Sequence, residues 1–172
     1  MSKTSLLLIT LCLLFLSCGK DPEKEWSRFY GFTQADVVGH YEANPDESLY
    51  EALPTEGIAV YDNASLDISA VGNTAISVHI VIPGKVNKNF SGPLNMSDEN
   101  RSDITLTTVI NTTNKEDIWM TVYKNENGQV RFHGRVKRYY YRIDTEHDNA
   151  LVLVRSENWG FDVIKEEDRS KK

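Results

Sequence analysis

The chain of 172 residues contains only two cysteines, and this scarcity excludes two classes of protein. Two thiols cannot build a disulfide-rich scaffold or a zinc site made of four thiolates. Basic residues are also few, 19 against 25 acidic ones, and the net charge of −6 opposes general binding to phosphate backbones. We therefore expect no nucleic-acid partner. Beyond residue 17, no apolar run approaches the ~20 residues that a membrane-spanning helix requires.

Catalytic and cofactor-binding motifs are missing as well. No serine stands in the Gly-x-Ser-x-Gly frame of a nucleophile elbow, and no glycine-rich loop has the spacing of a phosphate-binding loop. The histidines, His40, His79, His133 and His147, are too far apart in sequence to form a local metal-binding pair. We expect a protein without catalytic activity, cofactor or metal site. A hydrolase based on two carboxylates is the minor alternative, because the 25 acidic residues offer many pairs.

The first residues have the pattern of an export signal. Lys3 provides a positive charge, and Leu6 to Leu16 are apolar, a helix of only ~16 Å, too short to span a bilayer. The segment ends in Phe15-Leu16-Ser17-Cys18-Gly19. This ending resembles the lipobox cut by lipoprotein signal peptidase, with a small residue before the cysteine and Phe15 where leucine is usual.

The resemblance to a lipobox implies that Cys18 carries the lipid that holds the protein on a membrane. Cleavage would remove Cys12 and leave Cys18 as the one cysteine of the mature chain. The alternative is an ordinary secretory leader followed by an unrelated cysteine. The charged stretch from Gly19 to Glu25 is similar to the export signal of Bacteroidota surface lipoproteins. It implies an exported protein of the outer membrane or cell surface rather than of the cytoplasm.

Composition divides the chain into four parts. We predict a lipoprotein signal peptide at 1–17, a lipidated cysteine and polar tether at 18–31, one antiparallel β domain at 32–164, and a disordered charged tail at 165–172.

Most of the β domain has a hydrophobic period of two, which is typical of strands with one buried face. In 74–82, for example, Ile76, Val78 and Ile80 alternate with polar residues. The Asn125–Gly128 segment favours a hairpin turn. Short helices are predicted only at 33–36 and 44–53, where capping residues stand. The predicted strands are 37–42, 58–61, 65–69, 74–82, 90–95, 104–110, 118–124, 130–143, 150–155 and 159–164.

Many short strands without repeats predict an all-β fold, an antiparallel β-barrel or else a β-sandwich. The layout of a short turn, then Gly39-His40-Tyr41 on the first strand, then a series of strands, resembles calycin or lipocalin-like lipoproteins. Tyr41 stands where the lipocalin motif has tryptophan. The resemblance implies a calycin-like barrel that encloses or flanks a ligand.

Two functions fit this fold. In the first, the protein is a binding module for a small apolar or sugar ligand. In the second, it is an interaction or inhibitor protein that contacts a protein or glycan through its outer face. An outward basic stripe on one strand would serve the second function, although cross-strand pairing with acids would also explain it. The predicted ligand-binding residues are Tyr41, Ile76, Val78, Ile80, Phe132 and Tyr140, and those of the stripe are Arg131, His133, Arg135 and Lys137.

Overall fold

The computed structural model describes residues 26–44, 59–94 and 100–166. Together they form one antiparallel sheet with a single short helix, so the all-β prediction is confirmed. The elements, in chain order, are β1 (Trp26–Arg28), α1 (Gln34–Val37), β2 (Gly39–Ala43), β3 (Val60–Tyr61), β4 (Ser65–Val71), β5 (Ala75–Ile82), β6 (Val86–Pro93), β7 (Asp103–Asn111), β8 (Asn114–Asn125), β9 (Val130–Asp144) and β10 (Ala150–Lys165).

The ten strands follow the order β1-β8-β9-β10-β2-β4-β5-β6, with β7 on β8 and β3 on β10. Every described pair is antiparallel except β3 with β10, which is parallel. The hydrogen bonds described for the sheet do not close it into a barrel, since none of its ladders joins β6 to β7. The structure thus establishes a continuous antiparallel sheet, the coarser part of the predicted fold.

Alternation along the strands creates one core face. On β5, the residues Ile76, Val78, Ile80 and Ile82 are fully buried, whereas those between them are partly exposed. Because successive side chains of a strand point to opposite faces, the buried apolar residues of the strands meet on one side of the sheet. Strand β6, at one end of the order, also approaches β7 there, since a Cβ atom on Gly92 of β6 would lie 2.9 Å from Leu106 Cδ2 of β7.

The first predicted strand begins two residues late in the structure. Val37, predicted to start it, instead ends α1. Thr33 and Asp36 form a capping box, in which each side chain binds the other residue's backbone N–H, and this satisfies donors that a helix start leaves free. The predicted turn at 33–36 is confirmed. Gly39 has φ of +151°, a conformation that suits glycine and allows the chain to turn into β2.

Other boundaries also differ from the prediction. The strands predicted at 150–155 and 159–164 are one strand, β10, with a bulge between Leu153 and Arg155. Trp26–Arg28, inside the predicted tether, pair with β8 and belong to the sheet. Lys165, assigned to the tail, ends β10 and donates a hydrogen bond to the Asp36 carbonyl at 3.0 Å. The helix predicted at 44–53 lies outside the described residues apart from Asn44.

Candidate functional site

Most of the predicted ligand-binding residues form the core itself. Tyr41, Ile76, Val78, Ile80 and Phe132 have no exposed surface. The rings of Tyr41 and Phe132 pack edge to face with centroids 4.8 Å apart. The Tyr41 hydroxyl donates to the Val37 carbonyl at 2.6 Å, and burial raises the pKa of Tyr41 well above its usual value, so the hydroxyl remains a donor. A ligand would reach these side chains only by displacing core neighbours.

Tyr140 has a different position. It lies half-buried at the end of the core face, beyond Val136 on the same side of β9. Its hydroxyl donates to Glu157 Oε2 at 2.8 Å, and the Arg155 guanidinium lies 4.1 Å from its ring centroid. Tyr140 is therefore part of a polar end of the core face rather than of the apolar core.

Charged side chains of alternating sign cross this end of the core face. The sheet register places Glu116 of β8 opposite Arg138 of β9, and Arg138 opposite Glu157 of β10. Directly opposite side chains in a sheet lie on the same face, close enough to interact. Lys88 of β6 extends the series at one side and Arg155 of β10 at the other. We call this set the inner charged row: Lys88, Glu116, Arg138, Glu157 and Arg155.

The shortest contact of the inner charged row is the one at its centre, between Arg138 and Glu116. Arg138 Nε donates to Glu116 Oε1 at 2.5 Å, and Arg138 Nη1 lies 3.9 Å from Glu157 Oε2. Arg155 Nη2 lies 3.6 Å from Glu157 Oε1. Burial disfavours the charged form of Arg138, but hydrogen bonds with Tyr140 and Glu116 outweigh burial and raise the pKa of Arg138. The indole of Trp159, with its centroid 5.3 Å from the guanidinium carbon, covers Arg138.

Glu116 is fully buried, and its two oxygens differ. Oε1 binds Arg138, whereas nothing in the described part of the chain donates a hydrogen bond to Oε2. Lys88 Nζ lies 3.7 Å from Oε2, which is longer than a hydrogen bond. Polar groups at this separation are commonly bridged by a water or by a ligand hydroxyl. Glu116 Oε2 and Lys88 Nζ thus form a neighbouring acceptor and donor that a single bridging group could contact from the side.

On the outer face, the first half of the predicted basic stripe is paired and covered. Arg131 binds both oxygens of Asp162, with Nε 2.8 Å from Oδ1, and His133 Nδ1 lies 3.2 Å from Oδ2. Asn44 Nδ2 donates to Oδ1 at 3.0 Å. Burial alone would raise the pKa of Asp162, but hydrogen bonds from His133 and Arg131 outweigh it and lower the pKa. We call Asn44, Arg131, His133 and Asp162 the outer buried cluster.

The second half of the stripe lies over aromatic rings. Arg135 lies over Trp119, 5.6 Å from its centroid, and Lys137 lies over Tyr139, 4.8 Å from its centroid. The Tyr139 ring in turn stacks on Tyr141 at 6.2 Å. These cations therefore contact aromatic rings of the same sheet, an interaction that cations at exposed sites form with ring faces.

The remaining histidines form no metal centre. Register places His40, Asp67 and His79 in one row across β2, β4 and β5, with His40 Nδ1 2.6 Å from Asp67 Oδ1. Over the ranges that the structure describes, no group of three or more His, Cys, Asp or Glu side chains has an arrangement that could hold a metal ion. His147 bonds to Asp144 beside the β9–β10 turn, at 3.0 Å.

The inner charged row was not predicted, although part of its signal is in the sequence. Arg138 follows Val136 with a spacing of two, and Glu116 precedes Ile118 in the same way. That spacing assigns both to the core face, but only the register shows that they meet. Cys18 lies outside the described residues.

No protein family, curated protein or solved structure matches the chain. Within residues 26–44, 59–94 and 100–166, no helix has the length and apolar character needed to cross a membrane.

Proposed function

We propose that the protein is a lipid-anchored exported lipoprotein whose β domain binds a sugar-like ligand without catalysis, at the inner charged row. The observation that carries the binding proposal is the 3.7 Å gap between Glu116 Oε2, fully buried and lacking a described donor, and Lys88 Nζ. A hydroxyl group is both donor and acceptor. One sugar hydroxyl placed beside these two atoms would donate to the carboxylate and accept from the ammonium.

The surroundings of the gap also suit a sugar better than an apolar ligand. Arg138 and Glu157 offer further donors and acceptors, and Tyr140 and Trp159 provide half-buried rings beside them. Sites that bind small polar ligands combine aromatic walls with a few oriented polar groups. We therefore place the ligand at the polar end of the core face, and not against the five core residues, because those are packed against one another.

A calycin-like barrel is part of the same proposal. Two observations support it. Strand β6 approaches β7, where Gly92 faces Leu106. In addition, Lys88 of β6 lies within ion-pair distance of Glu116 on β8, the strand that pairs with β7. In such a barrel, side chains would fill the seam between β6 and β7. The inner charged row would then lie at one mouth of the barrel, open to a ligand.

Trp159 allows sugar binding to be tested by fluorescence. The full chain with Trp26→Phe and Trp119→Phe retains Trp159 as its one tryptophan, and is titrated with galactose, N-acetylglucosamine and glucuronate. We expect a saturable change in emission with at least one of them. Lys88→Met should weaken that binding about tenfold, the effect of ~1.4 kcal/mol, by removing one hydrogen-bond donor.

Lys137→Met is the matched control, because it removes a lysine from the outer face of the same sheet. The control should bind as tightly as the parent, and the bound sugar should be recovered unchanged. If no sugar gives a saturable change, or if both lysine variants bind like the parent, the ligand site is elsewhere.

The lipid anchor is tested separately. Cells that express the full chain are fed a palmitate analogue that can be labelled after lysis. We expect the parent and Cys12→Ala to carry the label and Cys18→Ala to lack it. Label on Cys18→Ala would place the modification at another residue, and the absence of label from all three would favour an ordinary secretory leader.

A further inference from the structure

The outer half of β10 presents an apolar edge to solvent. Leu151, Val152, Leu153 and Val154 are 53%, 38%, 50% and 62% exposed. Because neighbours on a strand point to opposite faces, this run is apolar on both faces. Soluble proteins normally protect an exposed strand edge with charged residues or proline. None occurs between Ala150 and Val154.

The backbone of this segment is paired on one side only by the residues that the structure describes. Within the described residues, the stretch 150–158 pairs with β9 alone, and β3 and β2 pair with β10 only from Gly160 onward. An edge with unpaired N–H and C=O groups binds an added strand through main-chain hydrogen bonds. The occupant of this edge must therefore be a strand that is apolar on both faces and has a free edge of its own.

We infer that the occupant is a second copy of this chain, paired antiparallel through β10 about a two-fold axis at Val152. The segment Leu151-Val152-Leu153 reads the same in both directions, so this register sets Leu151 against Leu153 and Val152 against Val152. A two-fold interface places the same surface of both copies in contact, which requires self-complementarity of this kind. Ala150 of one copy lies opposite Val154 of the other, so every residue pair between 150 and 154 is apolar.

Charge agrees with the antiparallel register. The β9–β10 turn carries the acids Asp144, Glu146 and Asp148, and β10 continues with Arg155. Pairing about Val152 sets Arg155 of one copy opposite Asn149 of the other, next to Asp148, and sends the two acidic turns to opposite ends. A parallel pairing would set the acidic turns side by side. The same acids oppose insertion of the hairpin into an anionic lipid surface.

A disulfide trap tests both the association and its register. Residues directly opposite in an antiparallel pair have Cα atoms ~4.5–5.5 Å apart, within the range of a disulfide. We expect the full chain with Val152→Cys, oxidised in the cells that express it, to form a covalent homodimer on a non-reducing gel. Val109→Cys, on an exposed residue of β7, should not exceed the background that Cys12 and Cys18 give in the unsubstituted chain.

A second variant distinguishes loss of pairing from loss of fold. Leu153→Lys, added to Val152→Cys, should lower the dimer yield about tenfold by burying a charge at the interface. Val109→Lys in the same background should leave the yield unchanged. The inference fails if the Val152→Cys protein stays monomeric on the gel, if its cross-link joins a different protein, or if Leu153→Lys has no effect on the yield.

Discussion

Arg131 and Asp162 form a buried ion pair on the outer face of the sheet, with Arg131 Nε 2.8 Å from Asp162 Oδ1 and a second bond to Oδ2. The pair joins β9 to β10, and Trp26 of β1 and Tyr123 of β8 flank the guanidinium with ring centroids 5.6 and 5.5 Å away. A position that alternation assigns to solvent is thus part of the protein interior.

Asp162→Asn should destabilise the fold strongly. Neutralising this carboxylate leaves Arg131 and His133 buried without their anion, and breaking a buried pair on one side costs about 3–5 kcal/mol. The free energy of unfolding is measured by urea titration followed by circular dichroism. Asp67→Asn, which removes an exposed carboxylate, should cost under ~1 kcal/mol. A loss for Asp162→Asn as small as that of Asp67→Asn would mean that water reaches the pair.

The same residue should make the protein sensitive to acid. The pKa of Asp162 in the folded chain is below its ordinary 3.8, so its contribution to stability is present above pH 3.8 and is lost as the pH falls through the folded pKa. Urea titrations at several pH values below 3.8 should show this loss in the parent. The difference in stability between the parent and Asp162→Asn should shrink there; a constant difference would contradict the assigned pKa.

His40 should respond to pH in the opposite sense. Hydrogen bonds that His40 donates to Asp67 and Glu42 raise its pKa above 6.5, so the stability it adds is present below pH 6.5 and is lost as the pH rises through the folded pKa. NMR titration of its ring protons measures the pKa. Asp67→Asn should lower it toward 6.5, whereas Asp62→Asn, in the β3–β4 turn, should leave it in place. If the pKa of His40 is unchanged in Asp67→Asn, Asp67 is not a hydrogen-bond partner of His40 in solution.

Gly134 of β9 lies where β8 and β10 leave no space for a side chain. A Cβ atom there would lie 2.3 Å from the Trp119 carbonyl oxygen and 2.9 Å from Phe161 Cζ, so Gly134→Ala must move backbone. We expect a loss of about 1–3 kcal/mol in urea unfolding, typical of overpacking. Gly92→Ala is the control, because its Cβ would meet only the flexible end of Leu106. Equal losses of unfolding free energy for the two variants would show that the backbone at Gly134 can shift at little energetic cost.

Most strands were predictable because their residues alternate. The β5 and β8 segments have a run of apolar residues at every second position, and one buried face is enough to specify a strand of that kind. Strand β1 was not predictable, since three residues after a polar stretch carry no periodic signal. The continuity of β10 was also missed, because Arg155 to Asn158 are polar and the bulge at Val154 shifts the alternation.

The candidate site was less predictable than the fold. The sequence indicates that Tyr140 faces inward, and the structure places it there. It also predicts an outward basic stripe, but two members of that stripe are buried against Asp162, thirty-one residues from Arg131 in sequence. Pairings over such distances depend on register between strands, and a shift by a single residue would reverse which side chains face each other.

The sequence by itself determined the strand-forming character of this protein and its single buried face, because alternation is a local property that each segment carries alone. Only the tertiary structure decided which charges meet. Glu116, Arg138 and Glu157 come from three strands, and their contact follows from the order and register of the sheet. Those depend on packing the whole core at once, which no single segment encodes.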